Sequence, residues 1–320
     1  IFHLPLFFFL RSNDLQGFVV NPLSVHSTKN LNIRKVKNDA KDAEAIARLV
    51  KYQEVKLSMV PEPHVLELRM MAREYYAVSD MLTETKNRLS TDLYLLFPGY
   101  KKVFSSVFSK TSLALLRAYP SPAQLLEADP KEITELIAKT SRKGLSFASK
   151  KYQMLLEISH LAESMPMSFS MISQKIVLHL NTIEQLQKNL VLIEKNLRDT
   201  LKERCPEQLV HQVELLHQMP GIGLITAITL IAEIGDISLF KSPKALTAFF
   251  GLDPSVNQSG KFTGDRNKIS KRGTRIGRRV LFTTAHCCIR KSGNGKANHP
   301  VLKEYYAKKC VNKKKKVLLA

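Results

Sequence analysis

Two stretches of this chain repeat apolar residues at the spacing of a helix seam over roughly nine turns each, which commits it to a largely helical architecture. The first runs over 62–96, with Leu68, Met71, Tyr75, Val78, Leu82, Leu89 and Leu96 on a 3-4 repeat interrupted by Thr85 and Asp92. Phe97-Pro98-Gly99 ends it. The second is predicted over 171–203, where Ile176, Ile183, Leu190 and Leu197 stand seven apart with Leu186 and Ile193 between them. Long amphipathic helices in one chain pack on each other or on a partner subunit. Between them, 100–165 reads as short helical segments broken by Pro120, Pro122 and Pro130. The predicted fold class is therefore mainly α.

The flanks are shorter-ranged. Gly17 to Val20 is a strand-like run closed by Asn21-Pro22, and DAKDAEAIARLVKY at 39–52 is a helix by composition and spacing. The apolar run IFHLPLFFFL at 1–10 is about half the length that spans a bilayer. It lacks a basic region before it and a small-residue cleavage site after it, so it reads as a core element and neither as a signal peptide nor as a membrane anchor. After residue 206 come a helix to His217, a break at Met219-Pro220-Gly221-Ile222-Gly223, and a helix through Ile234. A short helix over 243–250, a Gly-, Ser- and Asn-rich loop over 251–270 and a last helix over 274–290 follow. Three regions result: an α/β beginning over 1–60, a helical, coiled-coil-like region over 61–205, and an α-helical domain over 206–320.

Charge points to a polyanion. The 320 residues carry a formal net charge of +21. Lys261, Arg266, Lys268, Lys271, Arg272, Arg275, Arg278 and Arg279 face one acid, Asp265. Ten bases between Arg290 and Lys316 face only Glu304, so the two stretches hold +16 of the +21. Bases interleaved with Gly, Ser and Thr suit contact with phosphates. The four cysteines have no zinc-ligand spacing, and a reducing cytoplasm is the expected compartment.

Three motifs carry candidate chemistry. The Pro-Gly-Ile-Gly turn between apolar helices resembles a helix-hairpin-helix, in which Gly221 and Gly223 permit positive φ and close approach of a DNA phosphate; the bland alternative is a tight turn between packed helices. Asp39 and Asp42 stand three apart at a helix start, on one face, as oxygen ligands for Mg²⁺ or simply as helix-end acids. Ser259, in Gln258-Ser259-Gly260-Lys261, is a hydroxyl in a basic loop; Lys261, Lys268, Lys271, Arg272, Arg275, Arg278 and Arg279 are the candidate phosphate-binding cations.

Taken together, PGIG at 220–223, EIGD at 233–236, Phe240, FFGLDPSVNQSGK at 249–261 and KRGTRIGRR at 271–279 resemble the C-terminal domain of the DEDD-type serine transposases of bacterial insertion sequences, also called bridge-RNA-guided recombinases. Asn21-Pro22 and KNDAKDAEAIARL at 37–49 resemble the end of that family's RNase H-like domain. The resemblance implies that Ser259 is a nucleophile that attacks DNA, and that Asp39 and Asp42 are the last two acids of a metal-binding tetrad. It also implies a structured guide RNA as partner, a homo-oligomer whose subunits share each site, and a place beside the bacterial nucleoid. The tetrad's first Asp and its Glu would precede Ile1, and Lys313–Ala320 reads as part of a helix. The resemblance thus leads to the expectation of a copy truncated at both ends and without cleavage activity. The rival reading is a non-catalytic helix-hairpin-helix protein that binds nucleic acid and breaks no bond.

Overall fold

The computed structural model describes residues 3–15, 17, 19–20, 25, 38–52, 57–58, 60–164, 170–254, 258–259, 262–263, 268–291, 293, 295 and 297–310. It is mainly α-helical, as the seams require, and forms two compact units, Ile1–Pro63 and His64–Ala320.

The first unit holds α1 (Leu4–Ser12), β1 (Val19–Val20), α2 (Asp39–Tyr52) and β2 (Leu57–Ser58). β1 and β2 pair antiparallel, Val19 with Ser58 and Val20 with Leu57. Helix α2 has the bounds its composition predicts. Glu44 lies one turn from both Lys41 (3.4 Å) and Arg48 (2.6 Å), which hold its carboxyl below the usual carboxylate range. The expectation that the first ten residues form a core element is corrected. No residue of α1 is buried, and Leu6 and Phe9 are about 60% exposed. Its phenylalanines are consecutive and so point around the helix instead of along one face that a single packing surface could bury.

In the second unit the two seams become α3 (Pro63–Leu96) and α8 (Ser170–Arg204). They pack on each other, antiparallel. Glu67 meets Arg204 at 3.2 Å, Tyr75 meets Glu194 at 3.2 Å, and Asp92 meets Lys175 at 2.7 Å, so partner numbers rise on one helix as they fall on the other. The predicted seam residues lie in the interface: Leu68, Val78, Leu89, Leu96, Ile176, Ile183, Ile193 and Leu197 are buried, while Met71, Tyr75, Leu82, Leu186 and Leu190 pack against them. Asp92, an interruption in the pattern, is buried too. Lys175 Nζ and His179 Nε2 (3.1 Å) reach it across the seam, which supplies the partners a buried carboxylate requires.

Between the long helices, α4 (Lys110–Ala118), α5 (Pro122–Glu127), α6 (Pro130–Ser141) and α7 (Gly144–Glu163) pack on the Leu89–Leu96 end of the hairpin. Pro122 and Pro130 begin helices here, each at a first-turn position where no N–H is needed, after the capping residues Ser121 and Asp129. The opposite end of the hairpin packs on α9 (Glu207–His217) and α10 (Leu224–Ile234) through Leu209, Val213, Ala227, Ile228 and Ile231. Then come α11 (Pro243–Phe249), the two-residue strands β3 (Gln258–Ser259) and β4 (Phe262–Thr263), α12 (Arg275–Ile289) and α13 (Pro300–Cys310). Helix α13 lies between the helix expected over 274–290 and the helical reading of Lys313–Ala320, which falls outside the described residues; His299-Pro300 was the available start signal. No helix among the described residues is long and apolar enough to cross a membrane.

Candidate functional site

The acidic pair occupies the first turn of α2, with Asp39 exposed and Asp42 half-buried. The structure assigns the capping role to Asn38, whose Oδ1 accepts the Lys41 N–H at 2.8 Å. The oxygen donors of the two aspartates are of the kind that suits a hard divalent cation that keeps several waters. No third His, Cys, Asp or Glu joins them among the described residues.

The hairpin turn between α9 and α10 is present, and its glycines differ. Gly221 has φ +96°, and a Cβ there would lie 2.8 Å from Cys288 Sγ, so its missing side chain admits the end of α12. The Cys288 thiol donates to the Pro220 carbonyl at 3.3 Å, and burial pushes that thiol's pKa up. The close approach expected for a phosphate at Gly221 is made by this protein's own helix. Gly223 has φ −77°, a conformation open to any residue, and an added Cβ would meet nothing. The turn is therefore exposed at Gly223 and closed at Gly221.

Ser259 stands in the segment predicted as a loop, which the structure shows to be partly a ribbon. At its neck, Ser270 Oγ donates to Asp253 Oδ1 at 2.6 Å, Ser270 N–H to Asp253 O at 2.9 Å and Lys271 N–H to Gly251 O at 3.0 Å; Pro254 bridges Ile269. Further out, β3 and β4 pair antiparallel with Ser259 opposite Phe262, so Ser259 is the last paired residue before Gly260-Lys261. A Gly-X pair between short alternating runs was the hairpin signal in the sequence. Lys261 lies outside the described residues, as do Ser255, Arg266 and Lys313–Lys316.

The remaining cations divide into two groups. Lys268, Lys271, Arg272 and Arg275 are exposed; the last three join no ion pair among the described residues. Arg278 and Arg279 are half-buried and tied to the rest of the fold. Arg278 Nη1 donates to the carbonyls of Phe250 (3.2 Å) and Gly273 (2.8 Å). Arg279 meets Asp80 of α3 at 2.7 Å and lies 5.1 Å from the centre of the Tyr76 ring. These arginines position the basic segment; the exposed set faces outward from it.

Phe250 anchors the arrangement, buried against Leu230 and Val280. A Cβ at Gly277 would enter its ring, so α12 approaches as closely as it does only because position 277 is Gly. Phe250→Ala is expected to cost about 3–5 kcal/mol, and Gly277→Ala about 1–3 kcal/mol by overpacking. Thermal melts should show Gly277→Ala regaining stability in a Phe250→Leu background; independent, additive losses would contradict this packing.

A feature that the sequence reading missed secures the same region. Glu233, buried at 3% exposure, takes a two-pronged contact from Arg73 (Nε–Oε1 2.7 Å, Nη2–Oε2 2.9 Å), while Arg69 Nε donates to the Ala232 carbonyl at 2.7 Å. The pair raises the pKa of the Arg73 guanidinium, whereas burial lowers that of Arg69. Its signal was a lone acid in the otherwise apolar LITAITLIAEI. Three residues on, Asp236 caps the turn over Ile237–Leu239 by accepting the Ser238 N–H at 2.8 Å, which holds its carboxyl below the usual range.

Comparison with known proteins places both ends of the chain. Residues 213–307 match the family model described as "Transposase IS116/IS110/IS902 family", and residues 2–98 match a DEDD model of IS110 described as "Transposase". The chain is 23% identical over 281 residues to the 44.8 kDa protein of insertion element IS116 from Streptomyces clavuligerus, covering 85% of this chain and 64% of that protein. It is 25% identical over 273 residues to the 43.6 kDa protein of insertion element IS110 from Streptomyces coelicolor, covering 83% of this chain and again 64% of the relative. A shorter match, 38% identical over 81 residues and 25% of each chain, is to the pilin gene-inverting protein of Moraxella bovis. The chain thus spans slightly less than two thirds of the length of the two insertion-element relatives.

Proposed function

We propose that this chain, whose two ends match transposase models of the IS110 type, is an insertion-sequence transposase of the IS110/IS116 kind and recombines DNA through Ser259. The observation that carries this reading is the setting of Ser259. It ends a β strand in a ribbon whose neck is tied by Asp253 and Ser270, and exposed Lys271, Arg272 and Arg275 follow that neck directly. In the proposed step the Ser259 hydroxyl oxygen bonds to phosphorus and the bond to one deoxyribose oxygen breaks. That oxygen leaves with a proton, and the DNA end stays esterified to the protein. Attack by another deoxyribose hydroxyl reverses the chemistry and rejoins the strands. The exposed cations bind the backbone phosphates and offset charge on the phosphoryl oxygens. Asp39 and Asp42 would hold a divalent cation, Mg²⁺ by their oxygen chemistry, which when bound supplies Lewis-acid stabilisation.

In the same reading, 1–60 is the metal-binding domain, 61–205 the helical region and 206–320 the DNA-joining domain. The α9–α10 hairpin contributes DNA contact at its open Gly223 side, a guide RNA selects the DNA, and copies of the chain assemble around it. The pilin gene-inverting relative's name fits DNA rearrangement. The test is covalent trapping. Labelled duplex DNA with Mg²⁺ should yield a protein–DNA adduct whose linkage maps to Ser259 by peptide mass, a result that would set aside the expectation of a copy without cleavage activity. Asp39→Asn should lower its yield without changing DNA affinity. An adduct mapping elsewhere would sink the assignment; salt-dependent binding with no adduct at all would support the binding-only rival.

A further inference from the structure

Outside the two C-terminal basic stretches the chain has an excess of only +5, yet that excess is concentrated. Residues 136–156 contain Lys139, Arg142, Lys143, Lys150 and Lys151 and no acid. The turn from α6 into α7 gathers them. Arg142 is the left-handed residue that ends α6 (φ 57°), and Lys143 is the residue before α7. Lys139, Arg142, Lys143 and Lys150 are exposed, and none of the five is in an ion pair among the described residues.

The placement brings like charges close together. Lys143, Phe147 and Lys151 are spaced by four, and both ammonium groups lie over the one ring, 4.8 and 5.6 Å from its centre. The cations also crowd the end of α7 where the helix dipole favours negative charge. That end has no acid in its first turn and no side-chain cap, whereas α4, α5 and α6 are capped by Ser109, Ser121 and Asp129. A polyanion converts this repulsion into attraction. Phe147 is covered by its two lysines and Tyr152 is buried, so the patch presents cations and hydroxyls, with no aromatic face for stacking unpaired bases.

We infer that the α6–α7 turn is a second contact for the phosphate backbone of duplex DNA, separate from the basic segment beside Ser259. The inference rests on the DNA reading above. The patch belongs to the module at the Leu89–Leu96 end of the α3–α8 hairpin, whereas the helices after 206 pack from its other end as far as Asp80, which lies roughly 24 Å from Leu96 along α3.

The test is fluorescence anisotropy of the full chain with a duplex of about 30 base pairs, titrated from roughly 50 to 300 mM salt. A variant carrying Lys139→Gln, Arg142→Gln, Lys143→Gln and Lys150→Gln should bind about tenfold or more weakly, with a salt slope shallower by about 2–4. Single Lys150→Glu, on the exposed face of α7, should move both in the same direction, with unchanged helical circular dichroism. A second variant, Lys271→Gln, Arg272→Gln and Arg275→Gln, should lose binding independently. Wild-type affinity and slope in the first variant, beside loss in the second, would overturn the inference alone. No salt-dependent DNA binding by the wild-type chain would overturn the DNA reading itself. An equal or larger patch-dependent loss on duplex RNA, or a loss seen only on anionic vesicles, would also count against a DNA surface.

Discussion

Ser259→Ala is expected to abolish the covalent protein–DNA adduct while leaving DNA affinity within about twofold, since alanine lacks the oxygen proposed to bond to phosphorus and the substitution removes no cation. The substitution falls at the last paired residue of β3, and the ties that hold the ribbon are elsewhere, at Asp253–Ser270 and Gly251–Lys271. Loss of the adduct would then report the nucleophile and not a collapsed loop. A thermal melt matching wild type is the control. Persistence of the adduct in Ser259→Ala would move the nucleophile to another residue. Asp39→Asn offers a contrast, because it should respond to the concentration of divalent cation and Ser259→Ala should not.

Arg73→Ala is expected to destabilise the second unit by about 3–5 kcal/mol, as typically follows when one partner of a buried ion pair is removed. It strands the Glu233 carboxylate, whose side chain is 2% exposed, with the backbone-bound Arg69 as its nearest cation. Glu233→Gln should cost less, because the Arg73 side chain is 47% exposed and can turn to water. The asymmetry is the diagnostic outcome. Urea unfolding should rank Arg73→Ala well below Glu233→Gln, and Arg73→Met with Glu233→Leu should recover much of the loss. Equal costs for the two single changes would mean that the carboxylate finds water on its own. Because α10 follows the hairpin turn and packs beneath Phe250, the same variants should also weaken DNA binding.

Much of this fold was readable in advance, for a definite reason. The seams of α3 and α8 persist for many turns, and a 3-4 apolar repeat of that length has few alternatives to burial along one helix face. The motifs around Pro220, Phe250 and Arg272 were legible for another reason, since their spacing in the sequence already matched a family. The reading failed where a residue's role depends on something distant in the chain. Asp92 interrupts a seam until Lys175 and His179 meet it from α8. Arg278 and Arg279 look like any other bases in a basic run. Their commitment to Phe250, Gly273 and Asp80 follows only from the docking of α12.

Local spacing and composition by themselves determined that this protein is helical, where its long helices run, and that its charge collects near Ser259. Tertiary structure alone decided that the long helices pair with each other, that Gly221 serves helix packing, and which cations remain exposed. The reason is range. Helical periodicity is written within a few turns, whereas the partner of a buried carboxylate or of a guanidinium lies more than a hundred residues away for Glu233 and Arg279.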